Sequence, residues 1–217
     1  MENILNFLKL LNKNNNREWF NTNKTLYEHA KQEFEFAVNI LITKIREFDK
    51  RVDVIYPKDC MFRIYHDTRF SKNKEPYKDH FGAFIASGGR KSKYSGYYIH
   101  IQEENSFVGG GLYMPDNEIL QKIRLDILEN SDYYKQILEA ENFKKYFSDI
   151  WGERLKTVPR GFPKDFKDAE LLKLKSHALW HTLPAKILSS PDLLNYTVNV
   201  FRSMLDFNNY FNEIIDK

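Results

Sequence analysis

The sequence predicts an α+β fold, a four-strand antiparallel meander over about residues 61–113 flanked by N-terminal and C-terminal helices. Three observations predict it. Apolar residues recur every three or four positions up to about residue 50, and from Met61 the period drops to two. Glycine is also segregated: none of the nine glycines precedes Gly82, and seven lie between Gly82 and Gly111.

In the first segment, Asn15 and Asn16 offer N-cap chemistry to Arg17-Glu18-Trp19-Phe20, and Asn23 is placed to restart the helix. Tyr27, Ala30, Phe34, Ala37, Val38, Leu41, Ile45 and Phe48 then form the stripe of a long amphipathic helix. In the β-rich segment, 58–114, Phe62 and Ile64 fall on one face of a first strand, with Arg63, Tyr65 and Asp67 on the other. Phe81–Ser87 reads as a second strand ending in the Ser87-Gly88-Gly89 turn. Tyr97–Glu103 and Ser106–Tyr113 read as a hairpin about Glu104-Asn105. The short connections leave no room for crossover helices, so the sheet is expected to be antiparallel.

Residues 116–217 read as helical. Asn117–Asn130 comes first, followed by Asp132–Ala140 behind a Ser131 cap and a shorter piece through Ile150. An ordered loop from Lys156 to Pro163 precedes a helix over Asp168–Leu174. Ser190-Pro191 opens a closing helix with Leu194, Val198, Phe201, Leu205 and Tyr210 near its inward stripe. No linker or repeat interrupts the 217 residues, and one domain is expected.

Composition excludes several classes. With 42% hydrophobic and 15% aromatic residues, the chain has ample apolar area to fold. Met1–Leu11 alternates apolar and polar groups, unlike a secretory leader, and no run of about 18 apolar residues exists to span a membrane. A cytoplasmic protein is expected. Cys60 is the only cysteine, which excludes an internal disulfide and a thiolate-rich zinc site; beside Met61 and Phe62 it reads as a small core residue.

The net charge of +3 conceals a local excess. Residues 62–93 hold eight Lys or Arg against three acids, or +5, leaving −2 for the rest. Such a cluster can draw in a carboxylate, a phosphate or a nucleic acid, although a solvated basic face is the ordinary outcome. Within it, Arg63, Arg69, Lys72 and Lys78 are candidate anion contacts, with Tyr65 and Tyr77 as packing surfaces. Asp67 could hold an arginine in register, or simply form a structural salt bridge with Arg63 or Arg69.

Gly109-Gly110-Gly111, with Gly110 at its centre, sacrifices strand stability. It implies close approach by a ligand or backbone, or a bulge or bend. Arg160, in Pro159-Arg160-Gly161-Phe162, could complete an anion site, cap a helix or pair with Asp165. Asp67 and His100 are the candidate catalytic bases. His66, His80, His100 and Asp67 could in principle form a metal or acid–base cluster. His177 and His181, if helical, lie one turn apart without the acid of a zinc-protease helix. No dinucleotide fingerprint, phosphate loop or nucleophile elbow is present, and neither cofactor nor metal is expected.

Several of these blocks occur together and in order: Asn15-Asn16 with Trp19-Phe20, Asp67-Thr68-Arg69-Phe70-Ser71-Lys72 with Pro76-Tyr77-Lys78, Tyr97-Tyr98, Gly109-Gly110-Gly111 and Pro159-Arg160-Gly161-Phe162. In this the chain resembles the bacterial and eukaryotic family catalogued as domain of unknown function 2461, across nearly its whole length. His66 departs from the family pattern, which more often carries arginine there. The resemblance implies a cytosolic single-domain protein and no assigned activity. Bottom-up, the leading expectation is a binding domain for an anionic ligand, a phosphorylated small molecule or nucleic acid. The alternatives are a hydrolase or transferase on a phosphorylated small molecule and a structural interaction module. Oligomeric state stays open.

Overall fold

In the computed structural model, which describes residues 1–67 and 74–217, helices pack on one face of a four-strand antiparallel sheet. The chain begins with α1 (Glu2–Lys13), α2 (Arg17–Thr22) and α3 (Lys24–Phe48), followed by the single turn α4 (Pro57–Cys60). The Asn16 side chain accepts a hydrogen bond from Trp19 N at 2.9 Å, the expected N-cap. The Asn15 side chain instead holds the backbone of Tyr77, donating from Nδ2 to Tyr77 O at 2.9 Å and accepting at Oδ1 from Tyr77 N at 3.2 Å.

The strands are β1 (His80–Ile85), β2 (Gly96–Gln102), β3 (Phe107–Leu112) and β4 (His177–Thr182), in the order β1-β2-β3-β4. The last three sequence-predicted strands fall within β1, β2 and β3, to within a few residues. The first does not. Residues 61–66 make only isolated bridges, Met61 to Ala83 and Tyr65 to Tyr77. The Lys78 N to Ile64 O and His66 N to Pro76 O bonds turn this segment back on residues 76–78 before a ladder can form.

The fourth strand comes instead from His177–Thr182, inside the segment expected to be helical. His177 and His181 are therefore four residues apart on an extended strand, which places them on one sheet face but not one helical turn apart.

Between β3 and β4 lie α5 (Asn117–Glu139), α6 (Glu141–Lys144) and α7 (Ala169–Leu172); after β4 come α8 (Ala185–Leu188), α9 (Leu193–Arg202) and α10 (Leu205–Asp216). α5 is kinked at Asn130, where φ is −126° and ψ is 29°, at the predicted break. Ser131, expected as a cap, donates to Asp168 Oδ2 at 2.7 Å. The expected helix over 168–174 is reduced to one turn, and the closing helix is divided at Ser203-Met204.

The pleat assigns one sheet face to the core. Phe81, Ala83 and Ile85 of β1, Tyr97, Ile99 and Ile101 of β2, and Val108 and Leu112 of β3 are buried among α1, α3, α9 and α10. Cys60 is fully buried in the same cluster, and burial pushes its thiol up to about 12. Among the described residues no helix is long and apolar enough to cross a membrane.

The triple glycine is what lets β3 sit between its neighbours. A Cβ at Gly109 would lie 2.0 Å from Leu179 O, and one at Gly110 would lie 2.0 Å from Gly96 O; Gly110 also has φ of +148°. Pairing on both sides continues without an offset, so backbone approach, rather than a bulge, requires these glycines.

Candidate functional site

Among the described residues the other sheet face carries no helix layer, and it forms the floor of a groove of about 700 Å³. Register places His80, Gly82 and Phe84 of β1 beside Gln102, His100 and Tyr98 of β2. Phe107 and Gly109 of β3 and Thr182 and Trp180 of β4 continue the same face. One wall is Tyr113–Asp116 with Trp151; the other includes Phe62, Lys78 and the Arg90–Tyr94 segment.

Rings pave the floor in a continuous series across all four strands. Trp180 stacks on Phe107 with centroids 3.3 Å apart and planes at 15°; Phe107 stacks on His100 at 4.6 Å and 21°; His100 stacks on His80 at 4.2 Å and 26°. Tyr98 lies across Gly82, where an added Cβ would come within 2.6 Å of its hydroxyl oxygen. At the β4 end Trp180 meets Trp151 of the wall at 5.6 Å and 32° and is 37% exposed.

A chain of hydrogen bonds runs along the same floor, and its direction follows from chemistry. Gln102 Nε2 donates to Asp79 Oδ2 at 2.7 Å, which leaves Gln102 Oε1 to accept from His100 Nε2 at 3.2 Å. His100 Nδ1 must then accept from the Tyr98 hydroxyl at 3.1 Å. The second Asp79 oxygen, Oδ1, accepts from His80 Nδ1 at 2.8 Å, which puts the neutral His80 lone pair on Nε2.

Electrostatics follow this network. Burial, reinforced by His80, brings His100 down to about 4, so it is neutral near pH 7. Burial also lowers His80, against the raising effect of Asp79. For Asp79, burial works upward, but the hydrogen bond and charge of His80 outweigh it and hold the carboxyl below its ordinary range. Burial raises Tyr98 to about 12. At the rim, burial and the neighbouring Arg63 charge lower Lys78, whose Nζ sits 5.7 Å from the Phe62 ring centre.

The predicted site residues divide among several places. Lys78 and His100 line the groove, and the Gly110 backbone contributes to it. Both ring nitrogens of His100 are engaged, so its part is to fix the network. Arg63, Asp67 and Tyr65 are exposed outside the lining, with Tyr65 5.6 Å from the Tyr77 ring centre. Tyr77 is buried in the core, stacked on Phe20 at 3.9 Å and 9°. Arg160 is exposed in the turn closed by the Phe162 N to Pro159 O bond and does not line the groove. Arg69 and Lys72 lie outside the described residues. His80 and His100 do come together, but no group of three or more metal-ligating side chains with suitable spacing occurs among the described residues.

Sequence reasoning missed Asp79, Gln102, Phe107 and Trp180. Alternation within the hairpin could have placed Tyr98, His100 and Gln102 on the face away from Tyr97, Ile99 and Ile101, with Phe107 opposite them. Nothing in the sequence pattern alone joins Trp180 to them, because that requires the register of β4.

The class defined here is an α+β domain with an antiparallel sheet, helices on one face and an aromatic groove on the other. The chain belongs to a family described as a conserved hypothetical protein, DUF2461, whose profile matches residues 3–210. No curated protein and no solved structure matches the chain significantly.

Proposed function

We propose that the groove binds an anionic small molecule bearing a planar ring, of the mononucleotide class. The observation that carries this reading is the series Trp180–Phe107–His100–His80 beneath a rim holding Lys78, Arg90 and Lys93. The exposed part of Trp180 can stack with a base regardless of its identity, and the rim cations carry the charge opposite to that of a phosphate. A volume of about 700 Å³ suits a small ligand.

The test compares AMP, adenosine and ribose 5-phosphate by calorimetry and by quenching of tryptophan fluorescence. AMP is expected to bind more tightly than either fragment, with affinity that falls as salt rises. Trp180→Ala should weaken it by about 5- to 150-fold, the range for loss of one stacked ring. Equal affinity for AMP and ribose 5-phosphate would remove the floor from the reading, and no binding by any of the three would refute it.

The Asp79–His80 pair favours a second reading, an enzyme acting on the same ligand class. Asp79 orients the ring, and His80 Nε2 supplies the lone pair that takes a proton from a hydroxyl or water as its oxygen bonds to phosphorus; the ester P–O bond breaks, and the protonated ring gives the proton to the departing oxygen. Here His80→Gln should abolish turnover of a phosphoester substrate while leaving its affinity within a few-fold; unchanged turnover would refute the role.

A further inference from the structure

A second cavity, of about 990 Å³, lies beyond the wall formed by Tyr113 and Trp151. Its distinctive feature is Arg124 of α5, only 5% exposed. The guanidinium donates from Nε to Leu172 O at 2.9 Å and from Nη2 to Leu174 O at 3.2 Å. These bonds tie α5 to the carbonyls at and just beyond the end of α7, and they use two of its five N–H groups. Nη1 has no hydrogen-bond partner among the described residues and is the nitrogen left for the cavity.

Hydrogen bonds to neutral carbonyls do not neutralise the charge. Among the described residues no carboxylate pairs with Arg124, whereas the other cations lining the cavity are matched: Arg154 meets Asp149 at 3.1 Å, and Lys175 meets Glu153 at 2.7 Å. Counting the lining gives three cations against two anions, and the excess charge resides on the most buried of them. Burial lowers Arg124 from its ordinary value, and the Arg124 charge contributes, after burial, to lowering the neighbouring His177. An isolated buried cation is costly, and an anion brought to the cavity would offset that cost.

We propose that this cavity binds a small oxyanion, the carboxylate or phosphate group of a small-molecule ligand, with Arg124 as its charge partner. Ser176, buried against the same cavity, accepts from Met114 N at 2.9 Å through its oxygen and has its hydroxyl hydrogen to donate. Arg124 does not line the sheet groove, which shares Tyr113, Met114, Pro115, Trp151 and Trp180 with this cavity.

The experiment titrates the full chain with inorganic phosphate and, separately, acetate, at ionic strength held constant with sodium chloride. Melting temperature and tryptophan fluorescence are followed together. A saturable rise of about 5–10 °C at a hundredfold excess over Kd is expected for at least one anion. Tighter phosphate binding assigns a phosphoryl group, and tighter acetate binding assigns a carboxylate.

Arg124→Gln should weaken the preferred anion at least tenfold. Asp149→Asn, an exposed change that removes one negative charge from the lining, should tighten it by roughly threefold or more and serves if the first variant does not fold. No saturable response to either anion, or a Kd unmoved by the folded variants, overturns the proposal and leaves Arg124 as a carbonyl clamp.

Discussion

Lowering the pH from 7 to 5 is expected to remove about 4 kcal/mol of folding stability through two buried histidines. His177 is fully enclosed, and burial, followed by the Arg124 and Arg154 charges, brings it to about 3; His100 is brought to about 4. Both lie below the ordinary 6.5, so the folded protein binds fewer protons than the unfolded chain between each folded value and 6.5. Stability is therefore fully present above about pH 6.5 and declines as the pH falls towards 3–4.

Integrating the two shifts gives about 2 kcal/mol from each by pH 5, and about 6 kcal/mol together by pH 4. That is comparable with the whole stability of an ordinary domain, about 5–15 kcal/mol. The deficit at His177 has a visible cause: Nδ1 meets the Tyr134 hydroxyl at 2.9 Å, while Nε2 is buried without a partner among the described residues. Urea denaturation followed by circular dichroism at pH 7, 6, 5 and 4.5 measures the slope. His100→Gln should remove about half of it. A stability that stays level between pH 7 and 5 would refute the reasoning for both residues.

Three further outcomes are expected. Gly110→Ala should destabilise by more than about 4 kcal/mol, because the new Cβ meets the Gly96 carbonyl at a positive φ; soluble expression and melting temperature report it, and a near-native melt would contradict the packing argument. Tyr97→Phe removes the donor that meets the buried Asp49 Oδ2 at 2.9 Å and should cost about 1–3 kcal/mol in urea denaturation. Cys60 should resist Ellman's reagent at pH 8 in the folded protein and react promptly in urea; prompt reaction without urea would show that the α4 turn opens readily.

The long α3 was legible because Phe34, Val38, Leu41 and Ile45 keep a helical period through one buried face. The β2–β3 hairpin was legible for the corresponding reason at period two. β4 was not: Ala178 and Leu179 are buried on opposite sides of the pleat, and Trp180 adds a large apolar group towards the groove, so its six residues never alternate with polar ones. Of the cations singled out within residues 62–93, Lys78 lines the groove and Arg63 does not, while Arg90 and Lys93, counted in the same excess but not singled out, line it as well. Phe107 and Trp180 meet only through pairing between distant segments, which no local pattern encodes. The glycine triplet was legible as a demand for absent side chains; what fills that space required the positions of Gly96 and Leu179.

The sheet is completed by a strand separated from its neighbour by residues 113–176, and this separation has a kinetic side. Closing a segment of that length carries about 4 kcal/mol of chain entropy before the β3–β4 ladder returns any of it. The hairpin can form locally, but an N-terminal fragment ending before residue 177 leaves the β3 edge unpaired. During vectorial synthesis that edge, with three glycines that cannot shield their backbone, would wait for most of the chain to emerge. Trp180 arrives with the strand that ends the wait, so the groove and the edge protection are finished in the same late event.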